Sequence, residues 1–342
     1  MKKLLLASTA LVGFAGAAAA EVTLSGYAEI GIFGGEAIET QFHSDLDVTF
    51  NLSGESDNGL SFGATIDLDE VGDDCTRGVI STTGTGTTAV TTTACVGGDP
   101  ISHTGRGSGT EEHSVWVSGV FGKVTLGDTD GAYDWALSEV YMGTSLTDDH
   151  STHAGAYWFT GLDGTYDGQV MRYEYSFGDF AAGISAEIDD SGVGSAALGI
   201  GVKWSGDMGG TAVNAGLGYQ TVDLGAANGD ASEWGVSAGA DLAGGFSVKA
   251  GYADRDNPTG TADWNWWGVG VGYSMDALTV QANYGAYDVS GVANDPSGWG
   301  LVVNYDLGGG AVAMLGYGAS DNGVSFNGGG DNTFSAGLGL SF

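Results

Sequence analysis

The sequence predicts an all-β chain: a sixteen-stranded antiparallel transmembrane β-barrel over residues 21–342, with an inward-folded third loop. Three observations carry the barrel. Apolar and polar residues alternate with period two almost from end to end. Connections alternate between short turns and long polar loops. Aromatic rings sit near the ends of the apolar rows. No apolar run of about 18 residues follows the N-terminal stretch, so a helical membrane bundle is excluded.

Residues 1–20 stand apart from this pattern. Lys2 and Lys3 form a charged start, Leu4 to Ala17 a short apolar stretch, and Ala18 to Ala20 an A-x-A cleavage site. That is the layout of a signal peptide; the apolar core is short for the alternative, a membrane anchor. Removal leaves 322 residues from Glu21, with seven basic residues against 43 acidic ones and a net charge of −36. The mature protein is therefore expected in a bacterial cell envelope. Hydrophobic residues make up 42%, too many for a disordered acidic tail. A chain this acidic repels phosphate, which excludes nucleic acid as a partner.

The strands follow in order. In the first, Val22, Leu24, Ala28, Ile30 and Ile32 alternate with Thr23, Ser25, Tyr27 and Glu29. In the second, Phe42, Leu46, Val48, Phe50 and Leu52 alternate with His43, Asp45, Asp47, Thr49 and Asn51. Asn58-Gly59 signals the hairpin into the third, where Leu60, Phe62, Ala64, Ile66 and Leu68 alternate with Ser61, Thr65, Asp67 and Asp69. A helix would group apolar residues three and four apart. Thirteen more strands are predicted near 113–121, 123–128, 168–177, 179–189, 195–205, 211–222, 232–242, 246–255, 264–274, 277–288, 298–307, 311–320 and 332–342. Short connections such as Gly122-Lys123, Gly178-Asp179 and Met275-Asp276 lie between longer polar ones, as in outer-membrane barrels.

A β-sandwich also alternates, but it buries its apolar face and exposes a charged one. Here Trp204, Trp234, Tyr252, Trp267, Tyr273, Tyr284, Trp299, Tyr305, Tyr317 and Phe342 punctuate the apolar rows near strand ends. Two membrane interfaces select that placement. The opposite face is Gly, Ser, Thr, Asn and Asp, which suits a wet lumen in a barrel too wide for side chains to fill.

Two connections are long. Loop 70–112 is low in complexity and rich in Thr, and it holds both cysteines, Cys75 and Cys95. In an exported protein this pair is expected to form a disulfide, with thiolate metal binding as the rival reading. Loop 128–167 carries Asp128, Asp130, Asp134, Glu139, Asp148, Asp149, Asp163 and Asp167 and no Lys or Arg. It also carries Tyr133, Trp135, Tyr141, Tyr157, Trp158 and Phe159, more ring area than a solvated loop needs. Folding against the inner barrel wall would use that area; a surface lid packed on itself is the alternative. Asp128, Asp130 and Asp134 form a weak candidate calcium set without full EF-hand spacing. His150 and His153 beside Asp148 and Asp149 form a second weak metal candidate. No cofactor is required by any of these patterns.

The chain resembles the general bacterial porins, most closely those of purple non-sulfur and marine alphaproteobacteria. The resemblance rests on the order and spacing of Glu21-Val22-Thr23-Leu24-Ser25-Gly26-Tyr27, of Phe121-Gly122-Lys123-Val124-Thr125-Leu126-Gly127-Asp128 before the long third loop, of Val170-Met171-Arg172-Tyr173-Glu174-Tyr175-Ser176 after it, and of a last strand ending on Phe342. It implies a homotrimer of separate channels in the outer membrane of a Gram-negative bacterium. It also implies a third loop that enters the lumen as the constriction. The implied partners are outer-membrane lipid and lipopolysaccharide, small hydrophilic solutes and cations.

Such porins set an acidic third loop against a ladder of basic residues on the wall. Here that ladder is thin. Arg172, Lys203, Lys249 and Arg255 have lumen phase, but so do His43, Asp45, Asp47, Asp67 and Asp69. The balance favours a negative pore that selects cations. Two other classes stand as alternatives: a secreted acidic calcium-binding adhesin, and an outer-membrane barrel enzyme. The first would show nonapeptide or sandwich-length repeats, which the sequence lacks; the second would need a nucleophile set at the rim.

Overall fold

A computed structural model describes residues 21–68, 78–83, 90–95, 111–166, 168–189, 194–225, 229–321 and 332–342. The strands are β1 (Glu21–Gly35), β2 (Gln41–Glu55), β3 (Ser61–Leu68), β4 (Gly78–Thr83), β5 (Val90–Cys95), β6 (Glu111–Gly119), β7 (Gly122–Asp128), β8 (Gln169–Phe177), β9 (Phe180–Glu187), β10 (Ala197–Asp207), β11 (Ala212–Asp223), β12 (Asp230–Asp241), β13 (Phe246–Asp256), β14 (Trp264–Met275), β15 (Leu278–Val289), β16 (Ser297–Gly308), β17 (Ala311–Asp321) and β18 (Asn332–Ser341). All but β4 and β5 close into one antiparallel barrel of sixteen strands, each beside its chain neighbour.

The seam is β1 against β18, paired from Tyr27–Ser341 to Gly35–Thr333. The last residue takes part: Phe342 N–H donates to the Gly26 carbonyl at 2.9 Å, and Gly26 N–H to the Phe342 carbonyl at 3.3 Å. Closure leaves the barrel no free edge. Outside, apolar rows stay exposed along whole strands, as Leu198, Ile200 and Val202 do on β10. Rings pair across adjacent strands, Trp234 with Tyr252, Trp267 with Tyr284 and Trp299 with Tyr317, at centroid distances of 5.3, 5.4 and 5.2 Å. An apolar surface bounded by rings is what lipid requires of a barrel exterior.

Two features differ from the sequence-based expectation. Loop 70–112 contains the hairpin β4–β5, paired from Gly78–Cys95 to Thr83–Val90. Its Val, Ile and Thr content gives it the β propensity that a low-complexity reading overlooks. The inner face of β10 to β18 is also not a uniformly wet surface. Loop 128–167 lies on it through α1 (Ala132–Ala136) and a 3-10 turn (Leu146–Ser151). The α1 turn packs on β9, β10 and β11, and the 3-10 turn on β15 to β18 and β1. The remaining arc, β2, β3, β6 and β7, lies opposite. The expected Cys75–Cys95 bond involves Cys75 and the side chain of Cys95, and both lie outside the described residues, as do Asp69 and Asp167.

Candidate functional site: the inner loop and the wall it faces

Glycines seat the loop. A Cβ on Gly201, Gly216, Gly270, Gly285, Gly300 or Gly318 would stand 2.0 Å or less from a loop carbonyl oxygen, those of Ala132, Ala136, Val140, Gly155, His150 and Asp149 in turn. Only a residue without a side chain lets the loop backbone come that close to the wall. Hydrogen bonds then fix the register. Ala132 N–H donates to Ser185 Oγ at 2.8 Å and Ser138 N–H to Ser237 Oγ at 2.9 Å. Trp266 Nε1 donates to the Gly155 carbonyl at 2.8 Å, and Asn283 Nδ2 to the His150 carbonyl at 2.7 Å.

The wall cations complete the attachment. Arg172 Nη1 donates to the Asp130 carbonyl. Lys203 Nζ donates to the Trp135 carbonyl at 2.9 Å and stands 3.8 Å from the centroid of that indole. Lys249 Nζ donates to the Tyr141 carbonyl at 3.4 Å, and Arg255 Nη1 to the Gly161 carbonyl at 2.7 Å. Among the described residues Lys123 is the one remaining Lys or Arg, and it lies 3.8 Å from Glu174. Four of these five cations therefore point into the loop backbone and do not face it across the lumen. This changes the expected part of Arg172, Lys203 and Lys249: they hold the loop through its carbonyls, and Arg172 Nε also lies 3.3 Å from Glu174 on its own strand. Hydrogen bonds from charged groups contribute about 1.5–3 kcal/mol each.

Of the eight loop carboxylates, three do other work. Asp128 ends β7 in the outward phase of Val124 and Leu126, opposite Gln169. Asp149 is fully buried; its Oδ1 accepts from Ser145 Oγ at 2.5 Å, Ser335 Oγ at 3.1 Å and His150 N–H at 3.1 Å. Asp163 ties the two ends of the loop together: it accepts Gly131 N–H, at the start of α1, at 2.7 Å and also Gln220 Nε2. Asp130 and Asp148 are exposed, and Asp134 and Glu139 half-buried. Burial pushes Asp134 up to about 8, reinforced by the charges of Asp130, Glu139 and Asp163 and opposed by Arg172. The surrounding wall, then Glu29 and Asp149, push Asp148 up to about 6, although its side chain opens to the lumen.

The wall from β1, under the 3-10 turn, to β3 is acidic. Glu29 on β1 stands directly across from Asp45 on β2, Tyr27 from Asp47, and Thr49 from Asp67. Like charges set opposite one another on a sheet are destabilising. His43 Nε2 lies 2.9 Å from Glu29, and Thr49 Oγ1 donates to Asp67 at 3.0 Å.

The metal candidates are not assembled. Among the described residues no group of three His, Cys, Asp or Glu side chains is placed to hold an ion. Asp128 ends β7 in outward phase, whereas Asp130 and Asp134 follow in the loop and α1. His150 has Nδ1 2.8 Å from Ser145 Oγ and Nε2 3.1 Å from the Gly143 carbonyl, while His153 Nε2 lies 2.6 Å from Asn283 Oδ1. Burial holds His150 down at about 4. Ser145, Asp149 and His150 meet, yet they are buried, and the far ring nitrogen of His150 faces a carbonyl where a catalytic relay would place Asp149. The sequence reading missed the glycine track and the wall groups Glu233, Gln220 and Asn283. Glu233 is 1% exposed and accepts from Tyr133 Oη at 2.5 Å and from Tyr157 Oη. A polar residue in lumen phase opposite an aromatic-rich loop was the available signal.

A closed barrel with an apolar outer belt and a loop lodged inside it is the architecture of a membrane channel. The profile of the Gram-negative porin family matches residues 7–325, and the chain belongs to that family. It is an outer-membrane porin, a channel protein of the Gram-negative envelope. It is 30% identical over 327 residues to a porin of Rhodobacter capsulatus, covering 88% of this chain and 95% of that one. A porin structure refined at 1.8 Å superposes with a TM-score of 0.69 at 25% identity, covering 94% of this chain and all of the other. A triple mutant of the Rhodopseudomonas blastica porin shares the fold, with a TM-score of 0.61 at 20% identity over 94% of this chain and all of that one.

Proposed function

We propose that this porin is a cation-selective channel for passive diffusion of small hydrophilic solutes and ions, working as a homotrimer of separate pores after removal of residues 1–20. One observation carries the selectivity. The basic side chains of the wall are turned into the loop backbone, while Asp130 and Asp148 on the loop stay exposed and the wall from β1 to β3 bears Glu29, Asp45, Asp47 and Asp67. Carboxylates on the loop and on the wall of a confined passage concentrate cations and repel anions. The chain acts as a channel and not as an enzyme, a reading supported by the burial of Ser145, Asp149 and His150. No cofactor is needed for diffusion.

Vesicle swelling tests this. Liposomes carrying the purified protein should swell faster in lysine than in glutamate at equal osmolarity, with a neutral sugar of similar size between them. Equal rates, or faster swelling in glutamate, would contradict the charge argument. Chemical cross-linking of the native protein should stop at three chains; a monomer under those conditions would remove the trimer.

A further inference from the structure

We infer that Trp158, packed at a tilt against Tyr141, is a binding platform for quaternary ammonium cations in transit through the channel. The inference rests on the cation-selective reading and names one class of solute within it. The exposed large apolar side chains of the barrel strands have outward phase, toward lipid; Trp158, at 37% exposure, belongs to the loop inside. Its neighbours explain the placement. Tyr157 and Phe159 are buried against the wall, Tyr157 with its ring 5.5 Å from that of Trp266 and Phe159 at the same distance from Trp266. Phe159 adopts φ 55, a left-handed conformation that a bulky residue rarely takes. Such strain persists where the surrounding packing imposes it, and it gathers at binding sites. With both flanking rings turned to the wall, Trp158 is presented on the opposite side, to the channel.

The ring is also preorganised. Its centroid lies 4.9 Å from that of Tyr141. Tyr141 is fixed at both ends: its hydroxyl accepts Tyr157 N–H at 2.6 Å, and its carbonyl accepts Lys249 Nζ. Lys249 thus reaches the loop backbone from the wall strand β13. Glu139, two residues before Tyr141 in the same loop, is half-buried. An exposed indole face on a loop that carries acidic residues suits a cation with an apolar shell, which a hydrated potassium ion lacks. The acidic wall from β1 to β3 supplies the same sign of attraction.

The test uses the full mature protein in a planar bilayer, with tetraethylammonium added to a potassium chloride bath. The potassium current should fall saturably with added tetraethylammonium. Trp158→Leu should raise the half-blocking concentration about fivefold, the loss of one exposed cation–π contact, whereas Trp158→Phe should keep it within about twofold. Glucose at the same concentration should give no saturable block. The potassium-to-chloride reversal potential should be the same in all three proteins, since no charge changes. A cation-selective pore whose block is unsaturable, or is indifferent to residue 158, overturns this inference alone. A wild-type reversal potential of zero overturns the reading beneath it. Trp158 is exposed, so failure of both variants to assemble would contradict its placement.

Discussion

The glycine track makes a sharp demand at Gly300. A methyl group there would sit 1.7 Å from the His150 carbonyl oxygen and 2.5 Å from its carbon. A carbon-to-oxygen contact relaxes at about 3.3 Å, so the loop must withdraw by roughly 1.6 Å toward the lumen. The same movement breaks the 2.7 Å hydrogen bond from Asn283 Nδ2 to that carbonyl. Overpacking costs about 1–3 kcal/mol, and a lost hydrogen bond about 1 kcal/mol more. Because the outward face of β16 is untouched, the barrel should still assemble. Gly300→Ala should therefore give a heat-modifiable barrel of normal yield with lower single-channel conductance and more current noise. Gly26→Ala is the control, since the nearest atom to its added methyl would be 3.5 Å away. If Gly300→Ala conducts like the control, the loop does not rest on this wall and the seating argument fails.

Three further outcomes follow from the same geometry. Asp134 at about 8 and Asp148 at about 6 bind protons as the pH falls, so the lumen loses negative charge and cation preference should step down between about pH 9 and pH 5; a profile flat to below pH 5, or one unchanged in an Asp134→Asn/Asp148→Asn double variant, would count against those environments. Removing a clamp, as in Lys203→Met, should produce flickering current and faster proteolysis of loop 128–167 while the reversal potential moves little; a large clean shift in selectivity with a quiet current would instead place Lys203 across the pore. Deleting Phe342 removes both hydrogen bonds to Gly26 at the seam, so the folded fraction should drop while export continues; wild-type barrel yield would show that the seam does not need its last residue.

Most of the fold was legible because a barrel wall has one simple rule. Lipid on one side and the lumen on the other impose strict alternation, so β1 to β3 and the thirteen later barrel strands could be placed by phase. Phase also put His43, Asp45, Asp47, Asp67 and Arg172 on the inner face. The site was harder, because it depends on where a loop of irregular backbone meets that face. Nothing in the alternation says that Gly216 faces a carbonyl and not water, or that Arg172 and Lys203 hold the loop through its carbonyls. The acidic count of loop 128–167 likewise overstated the charge facing the lumen. Asp163 is spent on Gly131 and Gln220, Asp149 is buried within the 3-10 turn, and Asp128 takes the outward phase.

The central claim is that the passage is negative because its cations are tied to the loop. The reversal potential of the wild-type protein across a tenfold potassium chloride gradient tests it in one recording. The account predicts a potential of the sign for potassium over chloride. It should be large at low ionic strength and shrink as both baths are raised toward 1 M, where the screening length falls to about 3 Å. A potential near zero at low salt, or one of the chloride sign, would contradict it.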